Sequence, residues 1–206
     1  MHIIFFGPEG SGKGTQANLL SDKLSLPIFT SGDLVRDAAA HDPGMIGEAC
    51  RQALKTGGYV ADSEMFVLWK RRLKEKDAQK GWILDGFPRN VKQAKFLDTK
   101  IKKYGYRIDA VLHIRISQKE SMRRLIQRAR PLHPGSRELH DSPERITNRL
   151  RMYYKNESPL LDYYRDCGVL VEINGEQSPE MVFKEILSHI CPSYSGLQPG
   201  TGEKAD

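Results

Sequence analysis

Short apolar runs alternate along this chain with longer segments in which apolar positions recur every three or four residues. Ile3–Phe6, Pro27–Thr30, Trp82–Leu84, Ala110–Ile116 and Val169–Ile173 have the length and composition of strands. The periodic segments at about 13–25, 32–40, 44–56, 62–76, 89–103, 117–129 and 143–165 predict helices. A last helix begins near Ser178, with that serine as N-cap, Pro179 at the first helical position and Glu180 in the first turn. Such alternation predicts an α/β fold, a parallel five-stranded sheet flanked by helices.

Two stretches break the rhythm. Between Thr30 and Trp82 the pattern predicts three helices and no strand, more than a crossover connection needs. Residues 129–141 include two prolines and a glycine, the composition of a loop. Both read as insertions at the edge of the sheet. From Pro192 to Asp206 the chain is rich in Gly, Pro, Ser and polar residues, which predicts a disordered tail. The expected organisation is one core at 1–191 with a tail at 192–206.

Composition narrows the setting. At 206 residues, 39% hydrophobic and 28% charged, the chain is ordinary for one soluble globular domain. No apolar run is long enough to span a bilayer, and Gly7-Pro8-Glu9-Gly10 interrupts the apolar stretch His2–Phe6 too early for a signal peptide. Cys50, Cys167 and Cys191 are widely spaced and form no CxxC pair, so reduced thiols and a cytoplasmic location are expected. A net charge of +6 points to an anionic partner, nucleic acid or small phosphates, and does not separate the two.

The phosphate reading gains a motif. Gly7-Pro8-Glu9-Gly10-Ser11-Gly12-Lys13 fills the first seven places of GxxxxGK[ST], directly after a predicted strand and before a predicted helix. Glycines let the backbone turn its N–H groups around a phosphate, and the following helix adds its positive N-terminal end. Lys13 can then reach the outer phosphates as a compact cation. The eighth place is Gly14, with Thr15 one step later, so the usual Mg²⁺-side hydroxyl is missing from the strict pattern.

Gly10-Ser11-Gly12-Lys13-Gly14-Thr15 resembles the GxGKGT loop of the adenylate kinase family. Thr30-Ser31-Gly32-Asp33-Leu34-Val35-Arg36 is similar to the STGD-x-x-R stretch that opens that family's monophosphate-binding insertion, and Asp85-Gly86-Phe87-Pro88-Arg89 matches its DGFPR signature. The resemblance in order and spacing runs from Ile3 to about Ile190. It implies a P-loop NTPase-type sheet with a helical NMP-binding insertion at 31–60 and a short lid at 129–141. The activity it implies is reversible phosphoryl transfer from Mg-ATP to AMP, giving two ADP.

The resemblance also implies roles. Gly10, Ser11, Gly12, Lys13, Gly14, Thr15, Arg124, Arg128 and Gly175 would bind ATP. Ser31, Gly32, Arg36, Gly57, Tyr59, Val60, Gly86, Arg89 and Gln93 would bind AMP. Lys13, Arg89, Arg124, Arg128 and Arg149 would act on the phosphoryl group in flight, which is mostly negative charge in need of position and neutralisation. Arg124 and Arg128 are four apart, hence on one helix face. Asp85, with help from Asp33, would hold the Mg²⁺ cofactor through water, an ion that needs few protein ligands. Gln93 matches the family's adenine-reading glutamine, whose amide offers a donor and an acceptor together. Ser31 keeps the hydroxyl of the commoner threonine. Ser142, Pro143 and Glu144 supply the helix that bears Arg149 with a cap, a first-position proline and an acidic first turn. Arg130 and Arg137 are the lid's candidate cations, Arg145 reads as a surface arginine, and His133 and His140, without a neighbouring cysteine, read as surface histidines and not as a zinc site.

The alternatives are a broad-specificity or UMP/CMP-preferring monophosphate kinase, a GTP donor, a P-loop ATPase or nucleic-acid-binding switch, and a non-catalytic relative. Few aromatic residues argue against nucleic acid. The expected partners are ATP, AMP and ADP, with no membrane and a monomer or small homo-oligomer as the assembly.

Overall fold

Every residue of strand β1 (His2–Phe6) is buried, and its side chains alternate between two apolar clusters. Ile4 and Phe6 join one cluster, Ile3 and Phe5 the other. That alternation is the signature of a central strand with helices on both faces, and it accounts for the uninterrupted apolar run in the sequence. Full burial of each of these side chains contributes about 1.5–3 kcal/mol.

The computed structural model describes residues 1–132 and 137–191. Around β1 lie β2 (Ile28–Thr30), β3 (Trp82–Asp85), β4 (Ala110–Arg115) and β5 (Leu170–Asn174), in the order β2-β3-β1-β4-β5 with every neighbouring pair parallel. The expected fold is observed. Helices α1 (Lys13–Leu24) and α8 (Pro179–Ile190) cover one face through Ala17, Leu20, Val182 and Ile186. Helices α4 (Asp62–Arg72), α5 (Val91–Lys103) and α7 (Pro143–Asp166) cover the other through Trp69, Leu97, Leu160 and Tyr164. Between β2 and α4 stand α2 (Ser31–His41) and α3 (Met45–Thr56), the strandless stretch read from the sequence. Helix α6 (Gln118–Arg128) packs on α7 through a third, small cluster of Leu125, Ile146 and Leu150.

Parallel strands end on one edge. The segments that follow β1, β2, β3 and β5 there carry Gly7–Lys13, Ser31–Gly32, Gly86–Arg89 and Gly175, so the topology gathers the candidate residues where parallel α/β sheets bind ligands.

Some boundaries differ from expectation. Helix α4 ends at Arg72, and a separate 3₁₀ turn spans Lys76–Gln79. Helix α5 begins at Val91 because Asn90, as N-cap, accepts a hydrogen bond from the Gln93 N–H at 2.8 Å, which leaves Arg89 in the preceding loop. Ser142 occupies the N-cap of α7 with proline at its start, but its side chain makes no capping hydrogen bond; the N-cap expected there is a cap in position alone. His133 and the tail 192–206 lie outside the described residues.

Candidate active site

The phosphate loop turns through Gly12 at φ 97°, a left-handed conformation that a side chain would strain, and there it becomes the N-cap of α1. The Lys13 ammonium, one residue on, donates to the carbonyls of Gly7 and Pro8, each at 2.8 Å. Burial pushes Lys13 below its ordinary lysine value, while the charges of Asp85 and Glu9 act the other way. The Ser121 hydroxyl of α6 donates to the Glu9 carbonyl and ties the loop to that helix.

Three arginines stand opposite the loop. Arg124 is held by Glu120 at 2.6 Å and donates to the carbonyls of Gly175 at 3.0 Å and Gly10 at 3.4 Å. Arg123 and Arg124 together draw the Glu120 carboxyl down to about 2. Arg128 makes a two-pronged contact to Asp141 at 2.8 and 3.1 Å. Arg149, 5% exposed, reaches Asp141 at 2.9 Å and Glu9 at 3.1 Å, and also touches His140. Burial opposes ionisation of Asp141, but hydrogen bonds from Arg128 and Arg149 outweigh it and hold the carboxyl well below the usual carboxylate range. The apolar cluster of Leu125, Ile146 and Leu150 lies beside these arginines in the chain and sets the α6–α7 spacing that lets them share one carboxylate.

A second group of polar residues faces the first. The Ser31 hydroxyl and the Arg89 guanidinium both donate to the Gly86 carbonyl, at 2.8 and 2.9 Å. Arg89 also stacks on the Tyr59 ring at 4.0 Å, a cation–π contact. Arg36 pairs with Asp33 at 2.6 Å on an exposed face of α2. Gln93 is buried: its Oε1 accepts from the Arg89 N–H at 2.7 Å and its Nε2 donates to Asp62 at 2.6 Å.

Both groups line one cleft of about 940 Å³. Of the residues expected to bind ATP, AMP or metal, all line it except Ser11 and Gly175. Ser11 is buried within the loop, with its hydroxyl unpartnered. At Gly175 a Cβ would run into Ile114 and Ile116, so glycine is required there for packing, and its carbonyl serves Arg124. Arg130 lines the cleft and bonds His140 at 2.7 Å, whereas Arg137 is exposed and outside the lining.

A magnesium ion fits one carboxylate here better than two. Asp85 forms no ion pair among the described residues, and its Oδ2 lies 3.8 Å from where a Cβ on Gly14 would stand, facing the start of α1. Asp33 is engaged by the Thr30 hydroxyl at 2.7 Å and by Arg36. No group of three or more His, Cys, Asp or Glu side chains able to hold a metal occurs among the described residues. Such a site suits an ion that keeps several waters and takes its other ligands from phosphates.

One expectation is corrected. His140 is not a surface residue: it is half-buried in the cleft, where burial and then the charges of Arg149 and Arg130 push its pKa down and favour the neutral ring. Arg145 forms the surface ion pair expected of it, with exposed Glu138 at 3.1 Å, and its guanidinium also lies against Gly57. Glu9 and Asp62 have no role in the reading of the sequence, yet each positions a residue singled out there: Glu9 reaches Arg149, and Asp62 accepts from Gln93. For Glu9, the available signal was a carboxylate inside a phosphate loop.

Known proteins give the same picture. A family model described as adenylate kinase matches residues 5–169. An adenylate kinase of Archaeoglobus fulgidus is 34% identical over 209 aligned positions, covering 90% of this chain and 96% of that protein. An adenylate kinase of Cyanothece sp. is 39% identical over 94% of this chain and 96% of its own length. One of Leptospira biflexa is 37% identical, with 91% and 98% covered.

Proposed function

The chain belongs to the adenylate kinase family, and on that premise we propose how its cleft carries out reversible phosphoryl transfer from ATP to AMP, giving two ADP. The observation that carries the reading is the single cleft lined by two cationic groups, Lys13, Arg124, Arg128 and Arg149 on one side and Arg36 and Arg89 on the other.

In the forward direction the bond between the γ-phosphorus and the oxygen bridging it to ADP breaks, as a phosphate oxygen of AMP bonds to that phosphorus. The AMP oxygen is already anionic, so no general base is called for. The chain's part is positioning and charge neutralisation. The loop Gly10–Thr15 and Lys13 cradle the donor phosphates, with Lys13 exchanging the Gly7 and Pro8 carbonyls for phosphate oxygens. Arg36 and Arg89 hold the AMP phosphate. Arg124, Arg128 and Arg149 neutralise the equatorial oxygens in the transition state. Gly57, Tyr59, Val60, Ser31 and Gln93 form the base pocket, and Gly32 and Gly86 let the backbone come close.

Magnesium is the cofactor in this reading. When bound, it neutralises phosphate charge, and Asp85 would hold it through water. The segment 31–60 and the short lid at 129–141 close over the two nucleotides and exclude water that would otherwise take the phosphoryl group. A cytoplasmic monomer or small homo-oligomer is part of the same reading; no described helix is long and apolar enough to cross a membrane.

The test is ADP formation from Mg-ATP with AMP, UMP, CMP and GMP offered separately. Turnover of AMP far above the rest is the expected result. Comparable turnover of several would make this a broad-range enzyme, and none with any would overturn the reading.

A further inference from the structure

Gln93 reads the base only if its amide faces one way. A side-chain amide can turn over, exchanging its acceptor oxygen for its donor nitrogen with little change in shape. A 6-amino purine presents a donor at position 6 beside a ring-nitrogen acceptor, whereas a 6-oxo purine presents an acceptor at position 6. One amide orientation therefore matches the first, and the reversed orientation suits the second.

Here the amide has a partner on each end. Oε1 accepts from the Arg89 N–H at 2.7 Å, and Nε2 donates to Asp62 Oδ1 at 2.6 Å. Each end keeps one further site, a lone pair on Oε1 and a hydrogen on Nε2, in the order a 6-amino purine requires. Reversal would set the amide oxygen against the Asp62 carboxylate and the amide nitrogen against the Arg89 N–H. Asp62 is itself anchored. It opens α4, and Asn90, whose Oδ1 caps α5 at the Gln93 N–H, donates to both Asp62 oxygens at 3.3 Å. Asp62 thus sits where the base-pocket segment Gly57–Val60 runs into α4, bridged to the start of the helix that bears Gln93.

We propose that Asp62 is a positioning residue that locks the Gln93 amide in one orientation and so sets the preference for a 6-amino over a 6-oxo purine monophosphate. The proposal rests on the reading of Gln93 as the base-selecting residue. It deepens that reading by assigning the selectivity to a pair of side chains on two helices.

The experiment measures kcat/KM for AMP and for IMP in the parent, Asp62→Ala, Asp62→Asn, Gln93→Ala and the Asp62→Ala/Gln93→Ala double variant, with melting curves for each. The expected result is a fall of about tenfold in the AMP-to-IMP ratio for Asp62→Ala, the size of one lost charge-assisted hydrogen bond. The fall should come through KM for AMP, with KM for Mg-ATP unchanged. Asp62→Asn keeps an acceptor for Nε2 and should restore most of the ratio. In the Gln93→Ala background, Asp62→Ala should cost no further selectivity. An unchanged ratio in Asp62→Ala, an equal fall with Gln93 already removed, or no rescue by asparagine would overturn the proposal. If Gln93→Ala itself left the ratio unchanged, the reading of Gln93 would fall and the proposal with it, a result distinct from failure at Asp62 alone.

Discussion

Glu9 Oε2 lies 3.1 Å from Arg149 Nε, so a carboxylate on the Gly7–Lys13 loop faces a buried arginine across the cleft. The same carboxylate accepts from the Tyr59 hydroxyl at 3.4 Å, which links the loop to the segment Gly57–Val60. A triphosphate drawn to the loop competes with Glu9 for Arg149 and meets its charge. Glu9→Gln keeps the shape and removes that charge. KM for Mg-ATP should fall by roughly fivefold, about 1 kcal/mol of relieved repulsion. An unchanged or raised KM in steady-state assays would show that the carboxylate does not oppose the donor.

Asp141 joins the arginine wall to the short loop, with its carboxylate fully enclosed by Arg128, Arg149 and the Arg130 N–H. Asp141→Asn breaks this buried pairing and should cost about 3–5 kcal/mol at pH 7. The pH dependence follows from the depressed folded pKa. The unfolded carboxyl titrates near ~3.9, so the contribution is complete above that pH. It is lost as the pH drops from there toward the lower folded value. Urea denaturation at pH 7 and at successively lower pH should therefore show the gap between parent and variant narrowing below about pH 4. A gap that persists undiminished in acid would remove the assignment.

The fold was legible because its strands are buried on both faces and its loops carry strong turn residues. Ile3–Phe6 announces itself, and Gly7–Lys13 behind it has one physical use. The arginines Arg124 and Arg128 were legible as an i, i+4 pair, and Arg149 through the family resemblance. What stayed hidden depends on distance along the chain. Asp62 acquires meaning only when α4 meets α5, 31 residues later at Gln93. His140 was read as a solvated loop residue, since nothing local shows that the lid folds it onto Arg149. The start of α5 was misread for a smaller reason: Asn90 captures the Gln93 N–H and holds Arg89 outside the helix.

Among the described residues Asp85 makes no ion pair, and its charge counters the pull of burial on Lys13. Chelation of divalent ions with EDTA should abolish phosphoryl transfer. Asp85→Asn should raise the Mg²⁺ concentration needed for half-maximal rate by about tenfold, as changes to groups that hold a metal through water do. A lowered kcat with an unchanged Mg²⁺ dependence would assign Asp85 to Lys13 instead.

Closure makes the last demand on the structure. On α2, Arg36 and Asp33 form an exposed pair, which is worth little in water, so beyond Ser31, whose hydroxyl donates to the Gly86 carbonyl at 2.8 Å, this pair adds no strong tie to the cleft. In segment 129–141, described residues meet through the Leu132 N–H donating to the Glu138 carbonyl at 2.9 Å and through the Pro131–Leu139 bridge. Segments that gain contacts when a ligand spans them become harder to open locally. A bisubstrate inhibitor joining adenosine groups through phosphates should therefore slow amide exchange in both 31–60 and the described residues of 129–141. Exchange in α8, on the opposite face, should change little. Protection of only one segment would mean that the two nucleotides are enclosed independently, and protection of neither would mean that water is excluded by the fixed walls of the cleft alone.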